Sequence, residues 1–127
     1  MTEKALQPKP VTQHNFRKLK IYQRPITFAV EVYKLSQGFP KNETYGLIGQ
    51  VRRAVVSTSL NIAEGSGNST GKEFRRYLEI ARRSTYEVMS CIEIAERLNY
   101  CTKEDNARLG SEADEIAAMI TGFSHGL

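Results

Sequence analysis

The hydrophobic positions of this chain recur with helical spacing from Phe16 onward, in four segments separated by short polar turns, and no segment alternates apolar and polar residues as a half-buried strand would. The pattern predicts an all-α fold. A first helix is expected over Ile21 to Ser36, with Pro25 in its first turn, where a missing amide donor matters least, and Gly38-Phe39-Pro40 as its end. Its apolar residues Ile26, Phe28, Ala29, Val30, Val32, Tyr33 and Leu35 reach round more than half the circumference, which one neighbouring helix does not cover. A second helix, about Thr44 to Glu64, carries a core stripe of Leu47, Ile48, Val51, Ala54, Val55, Thr58 and Ile62. Beside it runs a smaller strip, Val56, Leu60 and Ala63, which reads either as an oligomer contact or as part of one broad buried face.

The third helix has the clearest start, because Thr70 and Glu73 have the spacing of a capping box; it is expected to reach about Leu98. Phe74, Tyr77, Leu78, Ala81, Thr85, Val88, Ile92 and Ala95 share one face, and Lys72, Arg75, Arg76, Arg82 and Arg83 cluster on the opposite one. A fourth helix begins after Thr102, with Glu104 and Asp105 in its first turn, where the helix dipole favours acids, and Leu109, Ala113, Ile116, Ala117, Ile120 and Phe123 as its apolar face. Turns this short make neighbouring helices antiparallel. The expected architecture is an up-down-up-down antiparallel four-helix bundle over residues 16–127, preceded by a flexible arm at residues 1–15, where Pro8 and Pro10 sit among polar residues without periodicity.

With 127 residues, 40% hydrophobic and 25% charged, the chain has the size and composition of one soluble globular domain. No apolar run approaches the roughly 18 residues that cross a bilayer, and the amino terminus lacks the apolar segment of an export signal, so no membrane partner and a cytoplasmic location are expected. Cys91 and Cys101 are then expected to be idle thiols rather than a disulfide. The formal charge of +4 hides an asymmetry: residues 1–86 carry 15 Lys and Arg against 6 acids, a net +9, and residues 87–127 carry 3 against 8, a net −5. Such polarity suits either an anionic partner for the first part or attraction between protomers.

Several runs together resemble one family. Phe16-Arg-Lys-Leu-Lys-Ile-Tyr-Gln23, Phe39-Pro40, Tyr45-Gly46-Leu47, Gln50-Val-Arg-Arg-Ala-Val-Val-Ser57 and above all Asn61-Ile-Ala-Glu-Gly65 are similar to the intervening-sequence four-helix-bundle proteins, and Glu73-Phe74, Ala81, Ser84 and Glu87 continue the likeness over residues 16–100. Members are encoded in intervening sequences of large-subunit ribosomal RNA genes or elsewhere, and distant relatives accompany diversity-generating retroelements. The resemblance implies a small bundle assembling into a ring, with a pentamer as the associated form, and a nucleic-acid role for some relatives; it implies no reaction. Two positions depart from the family pattern. Thr58-Ser59 stands where relatives often carry Ile-Pro, and Arg83 where they often carry a small residue.

Candidate chemistry is sparse. Gly65-Ser-Gly-Asn-Ser-Thr-Gly-Lys72 superficially matches a phosphate loop, but the spacing is wrong, Glu73 replaces the required Ser or Thr, and a helix precedes it; a helix-helix turn with Gly65 as a helix stop is the better reading. His14 and His125 lie in the probable tails, so no His-based triad, metal site, cofactor or enzymatic activity is expected. Asn61 and Glu64 are expected as partly buried polar residues pairing with an arginine or with backbone groups across the bundle. Tyr22, Tyr77 and Tyr86 make no base-stacking platform, since Tyr77 falls on the core face. The strongest functional signal is the basic stripe, supplemented by Arg17, Lys18, Lys20 and Arg24 and opposed only by Glu79. It points to an oligomeric accessory protein that contacts phosphate backbones of RNA or DNA with weak sequence discrimination. The alternative is a scaffold or protein-docking ring with no nucleic-acid role, in which the arginines meet an acidic protein or the Glu112, Asp114 and Glu115 region of a neighbouring copy.

Overall fold

The computed structural model describes residues 16–67 and 70–127; the expected arm at residues 1–15 and the middle of the Gly65-to-Lys72 turn lie outside the described residues. Four helices carry the chain: α1 (Lys20–Ser36), α2 (Leu47–Ser66), α3 (Gly71–Arg97) and α4 (Lys103–His125), with short 3-10 turns at Phe16–Lys18 and Lys41–Glu43 and no strand among the described residues. Each helix packs on two others in cyclic order, α1 on α2 and α4, α3 on α2 and α4, with nothing across the diagonals. Neighbours run antiparallel: Arg24 of α1 meets Glu112 of α4 while Glu31 meets Arg108, and Thr58 of α2 meets Thr85 of α3 while Gly65 meets Tyr77. The core between them is mainly apolar, with Phe28, Val32, Val55, Ile62, Phe74, Leu78, Ile92, Leu109, Ile116 and Ile120 all but fully buried.

The helix ends follow from local chemistry. Thr70 accepts a hydrogen bond from the Glu73 amide at 3.1 Å, so it caps α3 as expected, but Glu73 does not return the bond and instead receives Arg76. The reciprocal box forms at α4, where Thr102 Oγ1 accepts from the Asp105 amide at 3.0 Å and the Thr102 amide donates to Asp105 at 3.3 Å. At the far end of α3, Asn99 adopts the left-handed conformation at φ 63°, while the Tyr100 and Asn99 amides donate to Ala95 O and Glu96 O. The second helix starts three residues later than expected, at Leu47. The Glu43 carboxylate accepts the Leu47 amide at 2.8 Å and the Tyr100 hydroxyl at 2.9 Å, tying the two turns at this end together. Those bonds, the Leu47 amide first, hold the Glu43 carboxyl below its ordinary range.

Two expectations need correction. Pro25 is the sixth residue of α1, in its second turn rather than its first, because Phe16–Lys18 wind a preliminary turn and α1 already begins at Lys20. Gly65 is not a helix stop: α2 runs through it to Ser66, and the residue is buried. A Cβ there would stand 2.7 Å from Tyr77 Cβ and 2.9 Å from Phe74 Cδ1, so the glycine exists to let α3 approach α2.

The excess apolar surface of α1 is not consumed within the chain, since Val30 and Tyr33 remain 50% and 39% exposed; on α2, Leu60 is 61% exposed beside half-buried Val56 and Ala63. No described helix is long and apolar enough to cross a membrane.

Gly65→Ala tests the close approach. Alanine is the better helix former by about 1 kcal/mol, but overpacking against a Cβ fixed to another helix costs about 1–3 kcal/mol. The variant is expected to lose about 1–2 kcal/mol in urea melts. A raised midpoint would mean that α2 and α3 can separate at this level without cost.

Candidate nucleic-acid interface

Because Phe74, Leu78, Ala81, Thr85 and Val88 turn α3 inward, the residues between them point away from the bundle. Lys72, Arg75, Arg76 and Arg83 are exposed and Arg82 is half-buried, so all five predicted cations share the outer side of α3. They are not bare. Arg82 chelates Glu79 at 3.0 and 2.7 Å, Arg83 shares the same carboxylate at 3.3 Å, Arg76 pairs with Glu73 at 3.0 Å, and Arg75 donates to the Leu127 carbonyl at 2.8 Å. Arg76 also covers the Tyr77 ring and Arg82 the Tyr86 ring. The Arg82 hydrogen bond, more than any other cause, holds the Glu79 carboxyl below its ordinary range. This pairing therefore contributes fully above the ordinary carboxylate pKa and is lost as pH falls through the lowered one. With Glu73 and Glu79 counted against the five cations, the face carries a net +3.

The second basic cluster divides. Arg24 faces α4, where it grips Glu112 with two bonds of 2.9 Å and Glu115 at 2.6 Å, bonds that raise its pKa. Arg17, Lys18 and Lys20 stay at the start of α1, the end of the bundle where α3 also starts and Lys72, Arg75 and Arg76 lie. Glu112 and Glu115 are engaged within their own chain, so the docking region imagined for a neighbour's arginines is largely taken. Arg108 bridges Glu31 at 2.9 Å and Asp105 at 3.4 Å, a second link from α4 to α1.

The Asn61-to-Gly65 motif is structural where it can be described. Asn61 does not reach across the bundle: its amide donates to Ser57 O at 2.8 Å and Ser57 Oγ at 3.1 Å in its own helix, and Ser57 makes the crossing through a 2.9 Å hydroxyl contact with Ser84. In the same turn and deeper in the seam, Thr58 meets Thr85 at 3.2 Å, and Thr85 also donates to Ala81 O. Glu64, expected to be partly buried, is exposed, and Tyr77, expected in the core, is half-buried at the edge of the α2–α3 seam. Ser57, Ser84 and Thr85 carry this seam and were not singled out as a set; their spacing on facing helices becomes meaningful only once the two helices are aligned. Cys91 and Cys101 are free thiols whose pKa burial raises. No cluster of potential metal ligands occurs among the described residues.

These features define a small all-α bundle with a cationic outer face on its longest helix. The sequence matches the 23S rRNA-intervening sequence protein family over residues 17–122, and the chain belongs to that family, as the Asn61-to-Gly65 run suggests. The fold is similar to the crystal structure of a protein of unknown function from the S23 ribosomal protein family of Bacteroides thetaiotaomicron VPI-5482, with a TM-score of 0.73 and 21% identity over 82% of this chain and 97% of that one. No curated protein matches the sequence.

The division of the second cluster has a measurable consequence. Arg24→Gln leaves Glu112 and Glu115 facing each other, and is expected to cost about 1 kcal/mol, the upper range for a half-exposed pair. If the α3 face binds nucleic acid, that binding is expected to stay unchanged. Lost affinity at unchanged urea stability would return Arg24 to the binding surface.

Proposed function

We propose that this chain is a non-catalytic accessory protein that associates with nucleic acid, gripping phosphate backbones through the outer face of α3 and working as a closed homo-oligomer. The observation that supports the reading best is the gathering of Lys72, Arg75, Arg76, Arg82 and Arg83 on one side of a 27-residue helix, with Arg76 and Arg83 at 60% and 75% side-chain exposure. Arginine suits the task, because its planar fork matches phosphate oxygens and a bound carboxylate can be exchanged for a phosphate at little cost. The family's tie to intervening sequences of 23S rRNA agrees with a nucleic-acid partner. Arg17, Lys18 and Lys20 extend the contact at the end where α3 starts.

Replacing Arg75, Arg76, Arg82 and Arg83 together by glutamine removes four cations at the cost of surface ion pairs, the Arg75 bond to the Leu127 carbonyl and two ring contacts, none of them in the core, so the fold is expected to persist by circular dichroism. Binding to mixed-sequence RNA and DNA is expected to weaken, with the slope of log affinity against log salt on duplex DNA flattened by up to about 3.6, since each phosphate contact contributes about 0.9. Equal binding before and after the replacement would refute the surface.

Self-association is supported by apolar surface that one copy leaves open: Val56, Leu60 and Ala63 on α2, and Val30 and Tyr33 on α1. A pentameric ring, the form the family resemblance implies, would repeat the α3 face round its circumference and strengthen binding through multivalency. Light scattering at micromolar concentration is expected to give a multiple of 14.3 kDa, reduced by Leu60→Asp. A monomer mass for the unaltered chain would overturn the assembly.

A further inference from the structure

Beside the cationic face, α3 and α4 leave a half-open cleft of about 280 Å3, at the lower limit of small-ligand sites. Its floor is Leu78 and Ile120, both almost fully buried. One wall is the Glu79 and Arg82 pair, which belongs to the basic face itself; the other is Thr121, Ser124 and His125 in the last turns of α4. Among the described residues, no side-chain hydrogen bond involves the Thr121 or Ser124 hydroxyl or the His125 ring. The floor itself presents almost no surface, so what the cleft offers a ligand is its two walls, with donors and acceptors that are open.

We infer that this cleft receives a single unstacked nucleobase of the strand whose backbone lies on α3, which rests on the phosphate-binding reading above. Contiguity is the first argument, since Arg82 lines the cleft and stands in the row with Arg75, Arg76 and Arg83. Charge is the second. Glu79 and the carboxyl end of α4, the negative pole of that helix, both disfavour a phosphate here. A neutral ring with mixed donors and acceptors suffers no such penalty, and bases splayed from a strand are held by hydrogen bonds to their edges and by guanidinium planes. Shape is the third, because the volume admits one ring system and little more. Glu79 also sets a preference. An exocyclic amino group, as on cytosine, donates to the carboxylate, whereas the carbonyl that uracil carries at the same place meets it lone pair to lone pair.

Free nucleosides test the cleft without any phosphate contribution. Titrating labelled protein with cytidine is expected to move the NMR signals of Thr121, Ser124 and His125, with cytidine binding on the order of tenfold tighter than uridine, the worth of one hydrogen bond to a charged group. Thr121→Leu, at an exposed position, is expected to cover the mouth and abolish these shifts while duplex DNA still binds. Absence of shifts, or shifts that persist in Thr121→Leu, would overturn the assignment. Equal shifts with phenol, standing for an aromatic side chain of a partner protein, would overturn it as well. A protein that takes up cytidine at the cleft but binds no strand would sustain this site and remove the phosphate-backbone reading instead.

Discussion

The approach of α3 to α2 at Gly65 is the constraint on which the rest of this structure depends. With no side chain at Gly65, Tyr77 Cβ and Phe74 come down onto the α2 backbone, and about two turns away the adjacent hydroxyl pairs Ser57–Ser84 and Thr58–Thr85 link the helices again. Small residues and short polar links let the helices lie close, and this pair shares the most extensive contact in the bundle. Once that seam fixes the rotation of α3, nothing remains free: the core residues point at α4 as well as α2, and the arginines between them have only the outer side left. The cationic face is thus a consequence of packing as much as of composition.

The charge asymmetry of the chain is met inside one copy at a few points only. Only a little of it is cancelled in this way: Arg24 of the basic part holds Glu112 and Glu115 of the acidic part, and Arg108 returns to Glu31. These links join α1 to α4, the helices that close the ring of neighbours, whose mutual contact is the least extensive of the four. Half-exposed ion pairs add only modest stability, but they discriminate against other rotations of α1 and so help one packing prevail over alternatives.

What was legible in the sequence follows the same division between local and non-local physics. Helix number, order and most core positions are set by periodicity, and Thr70 and Thr102 announce themselves through capping chemistry that needs only neighbours in sequence. Gly65 deceived because a glycine near a helix end is commonly a stop; its real partner, Tyr77, is twelve residues away across a turn. The second helix began late because Glu43 is recruited by Tyr100 as well as by Leu47, a bond no local rule contains. For the site, the α3 stripe was visible as a stripe, but its internal pairing with Glu73 and the removal of Arg24 depend on rotamers and on which helices become neighbours.

That pairing bears on how such a face can work. An arginine held by an exposed carboxylate has given up little, since such pairs are worth about 0–1 kcal/mol and weaken with salt, so phosphate can replace carboxylate without a large penalty. The carboxylates nevertheless reduce the field seen from a distance, and a net +3 on one helix attracts a strand only weakly. A single copy is therefore expected to bind backbones loosely and to depend on repetition for useful affinity. Under the proposed function the two surfaces left open by the fold would serve one another: the apolar strip on α2 would gather copies, and the gathered copies would give the arginines of α3 the multiplicity that their own pairing denies them.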